Sequence, residues 1–354
     1  MYAPAHRQKV RSRFHLRRLQ LQCAALREQT KTIEPVLPQV KMNLISVKAP
    51  ATARVVSNDL CLKGGVKSAS FVRHLVVDVT GTPLAGSFLV GQSFGGIPPG
   101  EDGRGKPQKV RLFSIACPSW GEDGQGNIVS TTPKRVIDEF KPQKPGDDSQ
   151  DHALFLGVCS NYLCDQRPGA EVKITGPSGR RFLLPLDTAA HEYLFLATGT
   201  GIAPFRGMVL ELLENPAGPC RSPIHLIMGS PYTTDLLYDD LFRRLAREHA
   251  NFHYHTAISR EPRPGSDRGI YVHQLIEELI EDFRPLLESP RTLIYICGLL
   301  GMQFGVYQVL ATHGLGEGYL KRAEPLEGTD PGDWTIDQIK RHVRPTARCM
   351  LEVY

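Results

Sequence analysis

Between residues 46 and 185 the apolar positions fall in short runs, FVRHLVVDV, KVRLFSIA, ALFLGVC and AEVKITG, separated by Gly, Pro and polar residues. Runs of that length, bounded by turn formers, predict the strands of an antiparallel β-barrel or sandwich. The stretches GGIPPGEDGRGKP and FKPQKPGDDSQD read as loops between strands rather than as linkers between domains. From residue 190 the rhythm changes. The runs YLFLAT, IHLIMG, FHYHTAIS and TLIYICG alternate with helical stretches such as LLYDDLFRRLAREH and VHQLIEELIEDF, and alternating βα units predict a doubly wound parallel sheet. The join lies near residues 185–191. The expected organisation is a flexible leader over 1–45, a β-barrel domain over 46–187 and an α/β domain over 188–354.

A chain of 354 residues can bury two separate cores. No apolar run reaches the roughly 18 residues of a membrane span, so a soluble protein is expected. The net charge of +5 is concentrated at the start: residues 1–41 carry nine Lys and Arg against Glu28 and Glu34, leaving the rest at about −2. This Arg-rich stretch reads as a flexible leader, an arm that could tether the protein to a membrane surface, or an organelle transit peptide; its few hydroxyl residues favour the first. A cytoplasmic location is expected, or a stroma or matrix if the leader is a transit peptide. No nucleic-acid partner is expected. The eight cysteines form no CxxC pair and no Cys/His cluster, so neither an iron–sulfur cluster nor any other metal site is expected.

In YLFLATGTGIAPFRG a strand ends at Thr198, and Gly199 and Gly201 let backbone amides approach a pyrophosphate at the start of a helix expected near Pro204. An ordinary βα turn would look the same. Ser259 and Arg260 follow another strand of that sheet, where an adenosine ribose lies in doubly wound domains. With Arg268 and Tyr271 they offer a hydroxyl, cations and a stacking ring suited to a 2′-phosphate; the alternative is a solvated, charged turn. Cys297 ends a third strand, at the edge where ligands gather, although a buried small residue would serve equally there. In the first domain Arg111 and Phe113 share one strand face and Ser114 the other, so a twist or bulge would be needed for all three to meet one ligand. GVCSNYLCD reads as a strand entering a helix capped by Ser160 or Asn161.

Taken in order, RLFSIA, GVCSNYLCD, ITGPSG, GTGIAPFRG, SRE, YICGLLGM and the terminal EVY resemble the plant-type ferredoxin–NADP(+) reductase family across roughly residues 46–354. The resemblance implies an FAD-binding barrel followed by an NADP-binding α/β domain. It places Arg111 at the FAD pyrophosphate, Phe113 on the flavin, Ser114 beside flavin N5, and Cys159 and Ser160 in the segment that holds FAD. It assigns Gly199, Thr200, Gly201 and Arg206 to the NADP pyrophosphate loop, and Ser259, Arg260 and Tyr271, with Arg268 nearby, to the 2′-phosphate clamp. Tyr354 would cover the flavin where nicotinamide must stack, and Glu352 would act near Ser114 and Cys297 in proton handling. Departures are Phe113 for a common Tyr, His273 for a Gln and Leu300 for a Lys. The activity implied is hydride exchange between NADP(H) and FAD with single-electron transfer to ferredoxin or flavodoxin, docked through Lys106 and Lys109. Two rivals are a reductase component feeding an oxygenase or epoxidase, and a non-catalytic scaffold with the same fold.

Overall fold

The computed structural model describes residues 33–63, 71–139, 153–326 and 328–354. Strands β1 (Ala51–Leu60), β2 (Arg73–Asp78), β3 (Ser93–Ile97), β4 (Arg111–Ser114), β5 (Ile128–Thr131) and β8 (Glu171–Ser178) form a six-stranded antiparallel sheet in the order β4-β3-β8-β1-β2-β5. Its edges meet where Ile115 bridges Thr131 and the Ala116 N–H donates to the Ser130 carbonyl at 2.8 Å, which closes the sheet into a barrel. Alternate side chains point inward, so Leu75, Val77, Phe94, Val129 and Ile174 fill the interior. A separate hairpin pairs β6 (Ile137–Glu139) with β7 (Leu154–Leu156), and helix α1 (Val158–Asp165) follows it. Of the loop FKPQKPGDDSQD, residues 140–151, none lies within the described residues.

The second sheet is parallel, with β9 (Glu192–Thr198), β10 (Ile224–Ser230), β11 (Phe252–Ile258), β12 (Thr292–Gly298) and β15 (Cys349–Val353) in the order β11-β10-β9-β12-β15, and a short hairpin beside it pairs β13 (Leu320–Arg322) with β14 (Val343–Pro345). Alternation along β9 and β12 sends Phe195 and Tyr295 to one face and Leu196 and Ile296 to the other. The first face packs on α2 (Ile202–Leu213) and α3 (Asp239–Glu248), the second on α4 (Val272–Glu278), α5 (Ile280–Glu288) and α6 (Leu300–Thr312). VHQLIEELIEDF, expected as one helix, is therefore two, broken at Leu279.

The two domains share a core: Leu62, Val72, Val90, Phe182 and Leu184 pack with Phe195, Phe205, Met208 and Tyr295. The Phe182 ring lies 5.8 Å from Phe205 and 5.4 Å from Tyr295. Residues 1–32 of the expected leader lie outside the described residues, but its last part does not hang free. The Ile33 N–H donates to the Pro290 carbonyl, Leu186 N–H to the Val36 carbonyl, and Ile45 exchanges backbone hydrogen bonds with Gly176. Backbone donors and acceptors satisfied in this way fix residues 33–45 across both domains.

Candidate functional site

A cavity of about 680 Å³ opens at the β4 edge of the barrel. Arg111, Leu112 and Phe113 of β4 all reach it, together with Lys109, Phe155 and the start of α1. Ser114 does not line it. The cap of α1 is Gly157, not Ser160 or Asn161, and no side chain caps its amides. Asn161 instead grips Val136, accepting from its N–H at 2.9 Å and donating to its carbonyl at 3.1 Å. The Gly157 N–H is taken by the Val136 carbonyl at 3.0 Å, which leaves the amides of Val158, Cys159 and Ser160, without a side-chain cap, at the cavity wall, as an anion requires. Burial pushes the Cys159 thiol up to about 11, and its sulfur donates to the Gly96 carbonyl at 3.4 Å; it is a wall, not a nucleophile.

A second groove of about 310 Å³ runs along the carboxyl ends of β9, β10 and β11. Gly199, Thr200, Ser259, Arg260 and Tyr271 line it, as expected for residues at that sheet edge. Gly199 has φ +54, a conformation that favours glycine. Gly201 serves another purpose: a Cβ there would stand 2.2 Å from the Cys297 carbonyl oxygen, so its small size lets the turn cross β12. The helix begins at Ile202, two residues before Pro204. Arg268 does not line the groove. Tyr271 is 57% exposed and its ring is parallel to that of His273 at 5.8 Å; Leu300 opens α6.

Arg206 is the clearest correction. Its guanidinium bonds both oxygens of Glu122 in the barrel, at 2.6 and 3.2 Å, and donates to the Ala116 carbonyl at 2.8 Å. It lines neither cavity. One turn into its helix, its side chain meets the barrel residues Ala116 and Glu122 rather than the glycine turn. Conversely, Lys134 and Asp235 line the second groove and were not expected. Lys134 comes from the barrel, and no local pattern marks a residue that reaches a groove in another domain.

The two cavities share one lining residue, Tyr354. Its hydroxyl lies 2.8 Å from Thr200 Oγ1, and its N–H donates to the Gly298 carbonyl at 3.0 Å. The parallel register of β15 on β12 sets Glu352 opposite Cys297. From the other domain, the Ser114 hydroxyl donates to Glu352 Oε2 at 3.2 Å. Burial pushes the Glu352 carboxyl up to about 7, against the lowering effect of the Ser114 hydroxyl. Burial also holds the Cys297 thiol well above its ordinary range, and the Glu352 charge adds to this. The result is a serine, a carboxyl near its titration midpoint at neutral pH and a neutral thiol drawn together beside the terminal Tyr354.

The larger cavity fits a flavin dinucleotide: Phe113 and Tyr354 supply rings, Arg111 a cation, and α1 uncapped amides. The smaller fits a phosphorylated adenosine, with Arg260 and Lys134 for phosphate and Tyr271 for the base.

Residues 195–308 match the oxidoreductase NAD-binding domain family. The chain is 36% identical over 270 residues to a ferredoxin–NADP reductase of Spirulina sp., covering 75% of this chain and 87% of that protein. It is 34% identical over 299 residues to the root-type chloroplastic isozyme of Nicotiana tabacum (81% and 77%). A third relative, from Picosynechococcus sp., is 37% identical over 281 residues, and the chain spans 66% of its length. Among solved structures, ferredoxin-NADP+ reductase from Plasmodium falciparum with 2'P-AMP superposes with a TM-score of 0.64 at 20% identity, over 89% of this chain and 100% of that one.

Proposed function

The chain belongs to the ferredoxin–NADP reductase family, and from that premise we propose that it exchanges hydride between NADP(H) and bound FAD and passes electrons singly to ferredoxin. The observation that carries this reading is Tyr354, which borders both grooves two residues beyond Glu352, the acceptor of the Ser114 hydroxyl. FAD supplies the conversion between two-electron and one-electron transfer; the protein supplies distance, orientation and protons.

Arg111 and the α1 amides hold the dinucleotide's phosphates, and Phe113 packs on its ring system. Phe113 stacks without the hydroxyl a Tyr would add. In the second groove Ser259, Arg260 and Tyr271 receive the adenosine 2′-phosphate, and Gly199, Thr200 and Lys134 border the pyrophosphate path. Tyr354 occupies the meeting point of the grooves, so nicotinamide must displace its ring to reach the flavin. The Tyr354 hydroxyl is restrained by Thr200 and the Thr198 carbonyl, and its backbone by Gly298 and Leu300. Glu352, protonated about half the time near pH 7, can give a proton to the Ser114 oxygen or take one from it. Cys297, buried in the core, keeps its proton.

The exposed Lys106 and Lys109 stand on the loop before β4, and Lys109 borders the larger groove. An acidic carrier, ferredoxin or flavodoxin, docking there would bind less tightly as salt rises. No described helix is long and apolar enough to cross a membrane; a cytoplasmic or organellar location fits. The relatives found favour ferredoxin as acceptor over an oxygenase component.

Anaerobic bleaching of the flavin band with equal NADPH and NADH tests the reading. Rapid bleaching with NADPH alone supports it; a preference for NADH removes the 2′-phosphate role of Ser259 and Arg260.

A further inference from the structure

Arg206 was the one residue implied for the nucleotide loop that the fold carries elsewhere, and its surroundings form a closed circuit. It grips the Ala116 carbonyl, two residues beyond Ser114, and the Glu122 carboxylate. Its helix, α2, starts at the Gly199–Gly201 turn, and Gly201 sits against the Cys297 carbonyl. Cys297 is the register partner of Glu352, and Glu352 accepts from Ser114. The circuit thus returns to the strand on which it began.

The brace is itself held from both domains. Glu122 accepts from the Ser130 hydroxyl at 2.6 Å and lies 3.6 Å from His74 Nε2. His74 Nδ1 and Thr132 Oγ1 meet the Tyr238 hydroxyl at 2.9 and 2.7 Å, and Tyr238 is a nucleotide-domain residue over whose ring the Arg206 guanidinium lies at 5.4 Å. Farther along α2, Glu211 accepts from both the N–H and the hydroxyl of Ser119. Gly207 lets the helix rest on the Cys117 carbonyl, where a Cβ would approach to 2.4 Å.

Building on the function proposed above, we propose that Arg206 and Glu122 are positioning residues: their interdomain ion pair sets the placement of Ser114 against Glu352, and through it the geometry of hydride transfer. Bidentate pairing of a guanidinium with a carboxylate fixes orientation as well as distance. A misplacement of reacting groups by about 1 Å costs on the order of a hundredfold in rate, so a brace that holds two domains in register acts on kcat. Neither residue lines the nucleotide groove, so nucleotide affinity should not depend on it.

The experiment compares wild type, Arg206→Met, Arg206→Lys and Glu122→Gln in flavin-loaded form. The expected result for Arg206→Met is a fall in the rate of flavin reduction by NADPH of about tenfold or more, with 2′-phospho-AMP affinity by calorimetry unchanged and with partial recovery in Arg206→Lys. Unloaded protein gives an independent readout. The stability gained on Glu352→Gln at pH 8 should shrink in the Arg206→Met background, because a loosened interface admits water to Glu352. Should Arg206→Met fail to fold, the isosteric Glu122→Gln carries the same tests. Weakened 2′-phospho-AMP binding with the rate preserved would overturn the proposal in favour of a phosphate ligand. Unchanged rates together with additive stabilities would overturn it in favour of a purely structural pair. A wild-type protein that NADPH does not reduce would instead sink the functional reading, leaving the Arg206–Glu352 coupling to be judged by the stability cycle.

Discussion

Replacing Glu352 with Gln keeps the shape of the side chain and an oxygen that can accept from Ser114, while removing the ability to ionise. In the wild type, burial moves the carboxyl from the ordinary 4.5 to about 7. A folded-state value above the unfolded one means that the native protein holds the proton more tightly. The stabilisation is fully present below pH 4.5 and is lost as pH rises through 7. The displacement corresponds to about 3 kcal/mol. Glu352→Gln bears none of this cost. The variant should match the wild type near pH 4, overtake it between pH 4.5 and 7, and be more stable by about 3 kcal/mol at pH 8 to 9. Urea unfolding of both proteins across that range, with the slope m compared to confirm a common unfolding reaction, measures the gap. A gap that stays constant with pH would refute the burial argument, and with it the claim that Glu352 stores a proton near neutrality.

Arg260→Ala should weaken 2′-phospho-AMP binding by about 10- to 100-fold, the worth of one hydrogen bond to a charged group, read by calorimetry. Tyr354→Ser should tighten NADP+ binding by up to about tenfold, since the nucleotide no longer competes with a stacked ring, while slowing its release; titration of the flavin spectrum checks it. Arg348, 3% exposed, donates to the carbonyls of Ser289 and Thr292 and lies over the Tyr319 ring at 4.7 Å. Arg348→Met should cost about 1–3 kcal/mol of stability in urea unfolding, because those carbonyls lose their donor.

The two-domain division and the parallel strands were legible because their signal is local: in YLFLAT and TLIYICG the apolar runs coincide with β9 and β12. Strand β3, written Ser-Phe-Gly-Gly-Ile, was not legible, since its glycines carry no β signal and one of its two partners, β8, lies far along the chain. The site divided in the same way. Gly199 and Arg260 follow strands and could be read from the strand pattern, whereas Glu352 and Tyr354 acquire meaning only when β15 docks beside β12, and in the sequence only resemblance pointed to them. Arg206 went astray because spacing gives a residue's place in a helix but not the surface its side chain meets, and Lys134 was missed because its groove belongs to the other domain.

The close crossing of Gly201 over Cys297 bears on how this scaffold could be redesigned. A Cβ at 201 would meet the Cys297 carbonyl at 2.2 Å, and one at 298, where φ is +136, would meet Thr198 Oγ1 at 2.1 Å. The turns at 201 and 298 therefore admit no new side chain, and on the proposed function a change of coenzyme preference would be engineered at Ser259, Arg260 and Tyr271, where open groove leaves room for different chemistry.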